Sequence, residues 1–135
     1  MKTNTQSVSI DASPEHVFDF VANPENLPKW AVGFARSITR EGDDWVVETA
    51  SGPARIRYVT DPSLGVVDFH FCPAPGVELA AYSRVVPNGE GAEYQFLQLQ
   101  PPGMSDETFA GQIEALGEEL VVLRSIFRAQ VACRR

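Results

Sequence analysis

The sequence predicts an α+β fold of order β-α-α-β6-α: a seven-stranded, curved antiparallel sheet with a long C-terminal helix laid across its concave face. Three observations lead there. The last 31 residues, Ser105 to Arg135, carry Phe109, Ile113, Leu116, Leu120, Leu123, Phe127 and Val131 at spacings of three and four, one apolar stripe on a helix. Residues 32 to 100 read instead as short strands separated by turn signals. Between the first strand and this meander lie two cap-and-proline signals, Ser13-Pro14 and Asn23-Pro24, each opening a short helix.

Taken in order, residues 5–11 alternate polar and apolar, which places Val8 and Ile10 on the inner side of a first strand. The helix from Ser13 follows, with Val17, Phe18 and Val21 on one face, and the turn from Asn23 ends near Pro28 and Trp30. Six strands are then expected at about 32–40, 44–50, 54–60, 65–72, 77–86 and 92–100. Their connections hold the residues that turns require: Glu41-Gly42-Asp43, Ser51-Gly52-Pro53, Asp61-Pro62-Ser63, Pro73-Ala74-Pro75-Gly76 and Pro87-Asn88-Gly89-Glu90-Gly91. Pro101-Pro102-Gly103 stops the last strand. In the final helix Ser105 can cap the start, Asp106 and Glu107 place negative charge on the first turn, and Arg124, Arg128, Arg134 and Arg135 place positive charge toward the end, as the macrodipole prefers.

Composition bounds the function. The 135 residues are the size of one domain, expected to span 1–135, with 44% hydrophobic and 21% charged residues. A formal net charge of −7 argues against nucleic acid and against an anionic membrane surface, because both need a basic face. No apolar run is long enough for stable membrane insertion, and residues 1–7 lack the apolar core of a signal peptide, so a cytoplasmic location is expected. Cys72 and Cys133 have no ligand-type spacing and are expected as free thiols. With only His16 and His70, in elements with no reason to converge, neither a non-haem iron site nor a zinc site is expected, and no cofactor is implied.

At this point the chain resembles a known superfamily. Ser9-Ile10-Asp11-Ala12-Ser13-Pro14-Glu15-His16-Val17-Phe18, followed by Asn23-Pro24-Glu25-Asn26-Leu27-Pro28-Lys29-Trp30, resembles the opening of the helix-grip proteins. These include START lipid-transfer domains, polyketide cyclases/aromatases, ring-hydroxylating oxygenase domains and pollen-allergen-like carriers. The stretch Arg84 to Gly91, with Pro102-Gly103-Met104-Ser105-Asp106-Glu107, resembles bacterial members described as cyclase- or lipid-transport-like. The resemblance implies a pocket between sheet and C-terminal helix, and it leaves the chemistry open because the fold hosts carriers, enzymes and regulators alike.

Strand alternation then nominates a lining for such a pocket. Ile56, Tyr58, Phe69, Phe71, Leu79, Ala81, Ser83, Tyr94, Phe96 and Gln98 share the inner face, and Leu116, Gly117 and Leu120 face them from the helix. Within this set Tyr58, Phe69, Phe71, Ser83, Tyr94, Phe96, Gln98, Leu116, Gly117 and Leu120 are the candidate ligand-binding residues: a mostly apolar wall with a few polar groups. The alternative is that the same aromatics fill a solid core, and the resemblance favours the pocket. Gly111 and Gly117 each cost about 0.8–1 kcal/mol against alanine in a helix interior, and Gly117, at the edge of the stripe, leaves room for a ligand or for close backbone approach, or is simply tolerated in a bent helix.

For acid–base chemistry the candidates are Asp68, His70 and Arg84. Asp68, His70 and Cys72 share one strand face, but opposite Phe69 and Phe71, so the face is expected to point outward. Arg55, Arg57 and Arg84, with Glu48 and Glu78, are expected as charge pairs on that outer face; a register slip of one residue would turn Tyr82 and Arg84 inward. Three readings follow: a carrier or sensor for a small hydrophobic, aromatic, polyketide-like or lipid-like molecule; a cofactor-independent cyclase, aromatase or dehydratase using the same pocket; and a protein-interaction module without a small ligand. A buried Arg, Asp or His in the pocket with a displaced pKa would favour the enzyme, and a pocket closed by side chains the interaction module. An exposed sheet edge makes a homodimer a further expectation.

Overall fold

The computed structural model describes the backbone of residues 1–134 and the side chains of residues 1–129. The side chains of Val131, Cys133, Arg134 and Arg135, named above, lie outside the described residues. Among these residues the elements are β1 (Thr3–Ile10), α1 (Pro14–Ala22), a single 3-10 turn (Pro24–Asn26), α2 (Leu27–Trp30), β2 (Ser37–Glu41), β3 (Asp44–Thr49), β4 (Gly52–Asp61), β5 (Val66–Ala74), β6 (Val77–Asn88), β7 (Gly91–Leu99) and α3 (Asp106–Arg134). The strands form one antiparallel sheet in the order β1-β7-β6-β5-β4-β3-β2, so every neighbour is a hairpin partner except β1, which returns to pair with β7. No helix among the described residues is long and apolar enough to cross a membrane.

The helix starts are built as the sequence reads. Ser13 accepts from the His16 backbone N–H at 3.2 Å, Asn23 from Glu25 at 3.1 Å and Ser105 from Thr108 at 3.1 Å, each satisfying a donor that the first helical turn leaves free. The inner face of the sheet carries Val8, Ile10, Val47, Ala54, Ile56, Val67, Phe69, Val85, Ala92 and Tyr94, all buried. Phe109, Leu116, Leu120, Leu123 and Phe127 of α3 are buried as well. Phe20 of α1 meets Phe127 edge-on at 5.5 Å, and Val17, Phe18 and Val21 complete a solid core around the C-terminal half of α3.

One strand is shorter than expected. The stretch 32–36 is not the start of β2: Ala31 turns the chain, its carbonyl accepting from Phe34 at 3.0 Å and Ala35 at 2.8 Å, and pairing with β3 begins only at Ser37. The Gly33 amide is thereby left without a sheet partner and turns toward α3, and the Phe34 amide, besides donating to Ala31, reaches the same helix.

Polar side chains bind α3 to the β1/β7 edge. Gln6 donates to the Ile113 carbonyl at 2.9 Å, and Gln98 donates to the Gln112 carbonyl at 3.1 Å while accepting from Asn4 at 3.0 Å. Gly117 makes the first contact possible, since a Cβ there would stand 3.2 Å from the Gln6 amide oxygen. The neighbour at Gly117 is thus a side-chain end and not a backbone.

A tighter constraint sits in the turn after β4. Gly65 has φ +70, its carbonyl accepts from Val85 N–H at 2.8 Å, and a Cβ would fall 2.0 Å from the Val85 carbonyl oxygen. Gly65→Ala should therefore destabilise the fold by about 2–4 kcal/mol. Equilibrium urea unfolding checks this; a loss below about 0.5 kcal/mol would contradict the packing described.

Candidate ligand cavity

The N-terminal half of α3 does not rest on a solid core. Beneath it lies a cavity of about 480 Å³. Phe69 and Phe71 of β5, Leu79 and Ala81 of β6 and Phe96 of β7 form its floor, Trp30 and Phe34 one wall, and Ala115, Leu116 and Glu119 of α3 the roof. Small residues hold it open: Ala31, Gly33, Ala81 and Ala115 stand where larger side chains would meet in the middle. The aromatic floor is fixed by edge contacts, Phe34 on Phe71 at 5.3 Å and Trp30 on Phe96 at 6.4 Å, with Phe69 stacked on Phe96 at 5.7 Å.

Of the ten candidate ligand-binding residues, Phe69, Phe71, Phe96, Gln98 and Leu116 line this cavity; Tyr58, Ser83, Tyr94, Gly117 and Leu120 do not. Tyr94 is fully buried, its hydroxyl donating to Ser83 at 2.9 Å, and Ser83 donates on to the Val67 carbonyl at 2.5 Å. That relay satisfies two polar groups within the solid core. Tyr58 packs edge-on against Phe69 at 4.9 Å, with its hydroxyl buried and unpartnered among the described residues. Burial pushes both phenols above the ordinary tyrosine value. Gln98 reaches the cavity, but its amide is committed to Asn4 and the Gln112 carbonyl.

The acid–base candidates lie elsewhere. Asp68, His70 and Cys72 alternate with the inward Val67, Phe69 and Phe71 and so occupy the outer face of β5. His70 Nδ1 is 3.2 Å from Glu78, which also pairs with Arg57 at 3.7 Å, and the Cys72 thiol donates to the Ala74 carbonyl at 3.1 Å. Arg84 is exposed and donates to the Leu64 carbonyl at 2.9 Å, so the register keeps it outside. Arg55 pairs with Asp44 at 2.9 Å and Glu41 at 3.9 Å. His16 is exposed on α1, and no group of three His, Cys, Asp or Glu side chains among the described residues is placed to hold a metal.

The polar group that does enter the cavity is Glu119, absent from the sequence-based candidates. It follows Leu116 by three residues and precedes Leu123 by four, which sets a carboxyl on the apolar face of α3; that spacing was the available signal. Only 7% of it is exposed. Its Oε2 accepts from Gly33 N–H and from Phe34 N–H, both at 3.1 Å, the two amides freed where 32–36 fails to join the sheet. Its other oxygen, Oε1, has no hydrogen-bond partner among the described residues.

Burial and hydrogen bonding pull this carboxyl in opposite directions. Desolvation raises its pKa and outweighs the two amides, which favour the anion, while neighbouring Glu118 adds to the rise; the result is about 7 against an ordinary 4.5. Between those values the folded chain holds a proton that the unfolded chain has released. Its stabilising contribution is fully present below the unfolded value and is lost as pH rises through about 7. Glu119→Gln keeps an acceptor for Gly33 and Phe34 but cannot titrate. Relative to wild type it should gain on the order of 2 kcal/mol between about pH 5 and pH 8. Urea unfolding of both proteins across that range checks it; parallel pH profiles would refute the burial argument.

Among curated proteins none matches the chain significantly. Solved structures share its architecture at low identity. A protein named XoxI from Bacillus cereus matches with TM-score 0.73 and 21% identity over 94% of this chain and 96% of that one. The Aha1 dimer from Colwellia psychrerythraea matches with TM-score 0.73 and 15% identity over 94% and 96%. The di-domain ARO/CYC BexL from the BE-7585A biosynthetic pathway matches with TM-score 0.70 and 18% identity over 93% of this chain and 46% of its own. At such identities these likenesses establish the helix-grip fold. At the level of sequence, the family described as polyketide cyclase / dehydrase and lipid transport matches residues 1–129, and with sheet, grip helix and cavity in place the chain belongs to that family.

Proposed function

We propose that the chain binds a small, mostly apolar molecule in the cavity under the N-terminal half of α3, as a carrier or sensor. One observation carries this reading: a cavity of about 480 Å³, lined largely by apolar and aromatic side chains, lies between the sheet and the N-terminal half of α3. An unfilled site of this size weighs against an interaction module that has no small ligand. The family description, which couples lipid transport with cyclase chemistry, is consistent with it.

Glu119 favours a second reading on the same site. A carboxyl that titrates near neutrality inside an apolar cavity can give or take a proton at a bound substrate, as a cyclase or dehydratase requires. A carrier returns its ligand unchanged, whereas a dehydratase returns it lighter by one water, so mass spectrometry of the recovered compound separates the two. A homodimer, proposed from the free edge of β2, is decided by light scattering on the purified chain; the Aha1 relative is itself described as a dimer.

Ala115→Trp places an indole in the cavity roof without touching the Leu120–Phe127 core. It should weaken binding of the neutral dye Nile red at least about tenfold, at unchanged thermal stability. Wild-type protein that leaves the dye's fluorescence unaltered would overturn the cavity reading.

A further inference from the structure

The walls of the cavity are lopsided in charge. Its charged side chains are Glu78 and Glu119, and no lysine, arginine or histidine side chain among the described residues lines it. Glu78 stands at the rim, 63% exposed, and is already paired with Arg57 and His70 on the outer sheet face. Glu119 is therefore the buried charged side chain that an occupant meets, while the exposed Met1, with its α-amino group, also lines the cavity. From the turn after α2 it faces only the amides of Gly33 and Phe34, from its own helix Ala115 and Glu118, and from the sheet the apolar side chains of the floor.

Those two amides hold Oε2, and Oε1 accepts no hydrogen bond among the described residues, on a side chain that lines the cavity. Five aromatic side chains stand among the remaining lining, Trp30, Phe34, Phe69, Phe71 and Phe96, beside aliphatic residues, and the Trp30 indole N–H is buried without a partner among the described residues. Such a site penalises a ligand that carries a carboxylate or phosphate, since a second anion would be brought beside a buried carboxyl without a neutralising cation. It rewards the opposite charge twice, through a charge-assisted hydrogen bond at Oε1 and through the faces of the surrounding rings.

Resting on the reading of the cavity as a ligand site, we propose that its ligands are hydrophobic amines: an aromatic or aliphatic body on the ring floor and an ammonium group donating to Glu119. The near-neutral titration of Glu119 then makes uptake pH-dependent. Below neutrality the carboxyl is protonated and the ammonium loses its partner, so amines bind more tightly as pH rises.

Three compounds of one skeleton test this: naphthylmethylamine, naphthylmethanol and naphthoic acid, titrated by calorimetry and by displacement of Nile red. At about pH 8 the amine should bind at least about tenfold more tightly than the alcohol, and the acid most weakly. The amine's affinity should fall several-fold at about pH 6. Glu119→Gln should bring amine and alcohol together and remove the pH dependence, with an unchanged far-ultraviolet circular dichroism spectrum and a cooperative thermal transition showing that the variant is folded. An alcohol or acid that matches the amine at about pH 8, or an amine affinity untouched by Glu119→Gln, overturns the amine inference and leaves the cavity reading standing. Failure of all three compounds and of Nile red overturns both.

Discussion

The packing of the α3 stripe against the concave sheet is the contact on which the other features depend, because neither surface can stay in water alone. The buried stripe from Phe109 to Phe127 spans five turns, and covering it requires a sheet broad and curved enough to follow it. The seven strands supply that curvature, and β1 returning beside β7 supplies the glutamine and asparagine contacts that fix the lateral position of α3. The match is uneven along the helix. Toward its C-terminal half, α1 and the β5–β7 side chains fill the interface; toward its N-terminal half, small residues on α3, β6 and the turn after α2 leave it open. A fold built to bury one long stripe thus contains a solid end and a hollow end.

Glu119 sits where the hollow end meets the turn. A carboxyl there opposes the hydrophobic logic of the helix, and apolar packing at the same position would stabilise the chain more. It is held by two backbone amides that have no place in the sheet, so the interruption of β2 and the buried acid belong to one arrangement. The amides fix one oxygen and burial sets the proton affinity, which gives the cavity a positioned group whose charge changes near neutral pH. The tyrosines on the same sheet face do the reverse: Tyr94 turns its hydroxyl into the Ser83–Val67 relay and adds rigidity without adding reactivity.

Much of the architecture was legible because its determinants are local. Period-two alternation assigned the faces of β4, β5 and β7, including the outward Asp68 and His70, whereas β6 stayed open between two registers until its pairing with β5 and β7 set Arg84 outward. The caps at Ser13, Asn23 and Ser105 follow from side chains that bond two or three residues ahead. The stretch 32–36 was misread as strand because Val32 and Phe34 alternate with polar or small residues, and alternation alone does not reveal that the adjoining amides have a better partner on α3.

By itself the sequence determined the order of elements, the inner and outer sides of the sheet and the apolar line of α3, since each is a periodicity carried within a few residues. The tertiary structure alone decided which inward residues meet and which enclose space, because a cavity is the difference between the volume that distant elements bound and the volume their side chains occupy. It placed Phe69 and Phe96 at the cavity and Tyr94 and Ser83 in the solid core, although all four share one face. It also joined Glu119 to an amide 86 residues away. That contact has no local signature, and the burial that gives the carboxyl its near-neutral proton affinity exists only once sheet, turn and helix have closed around it.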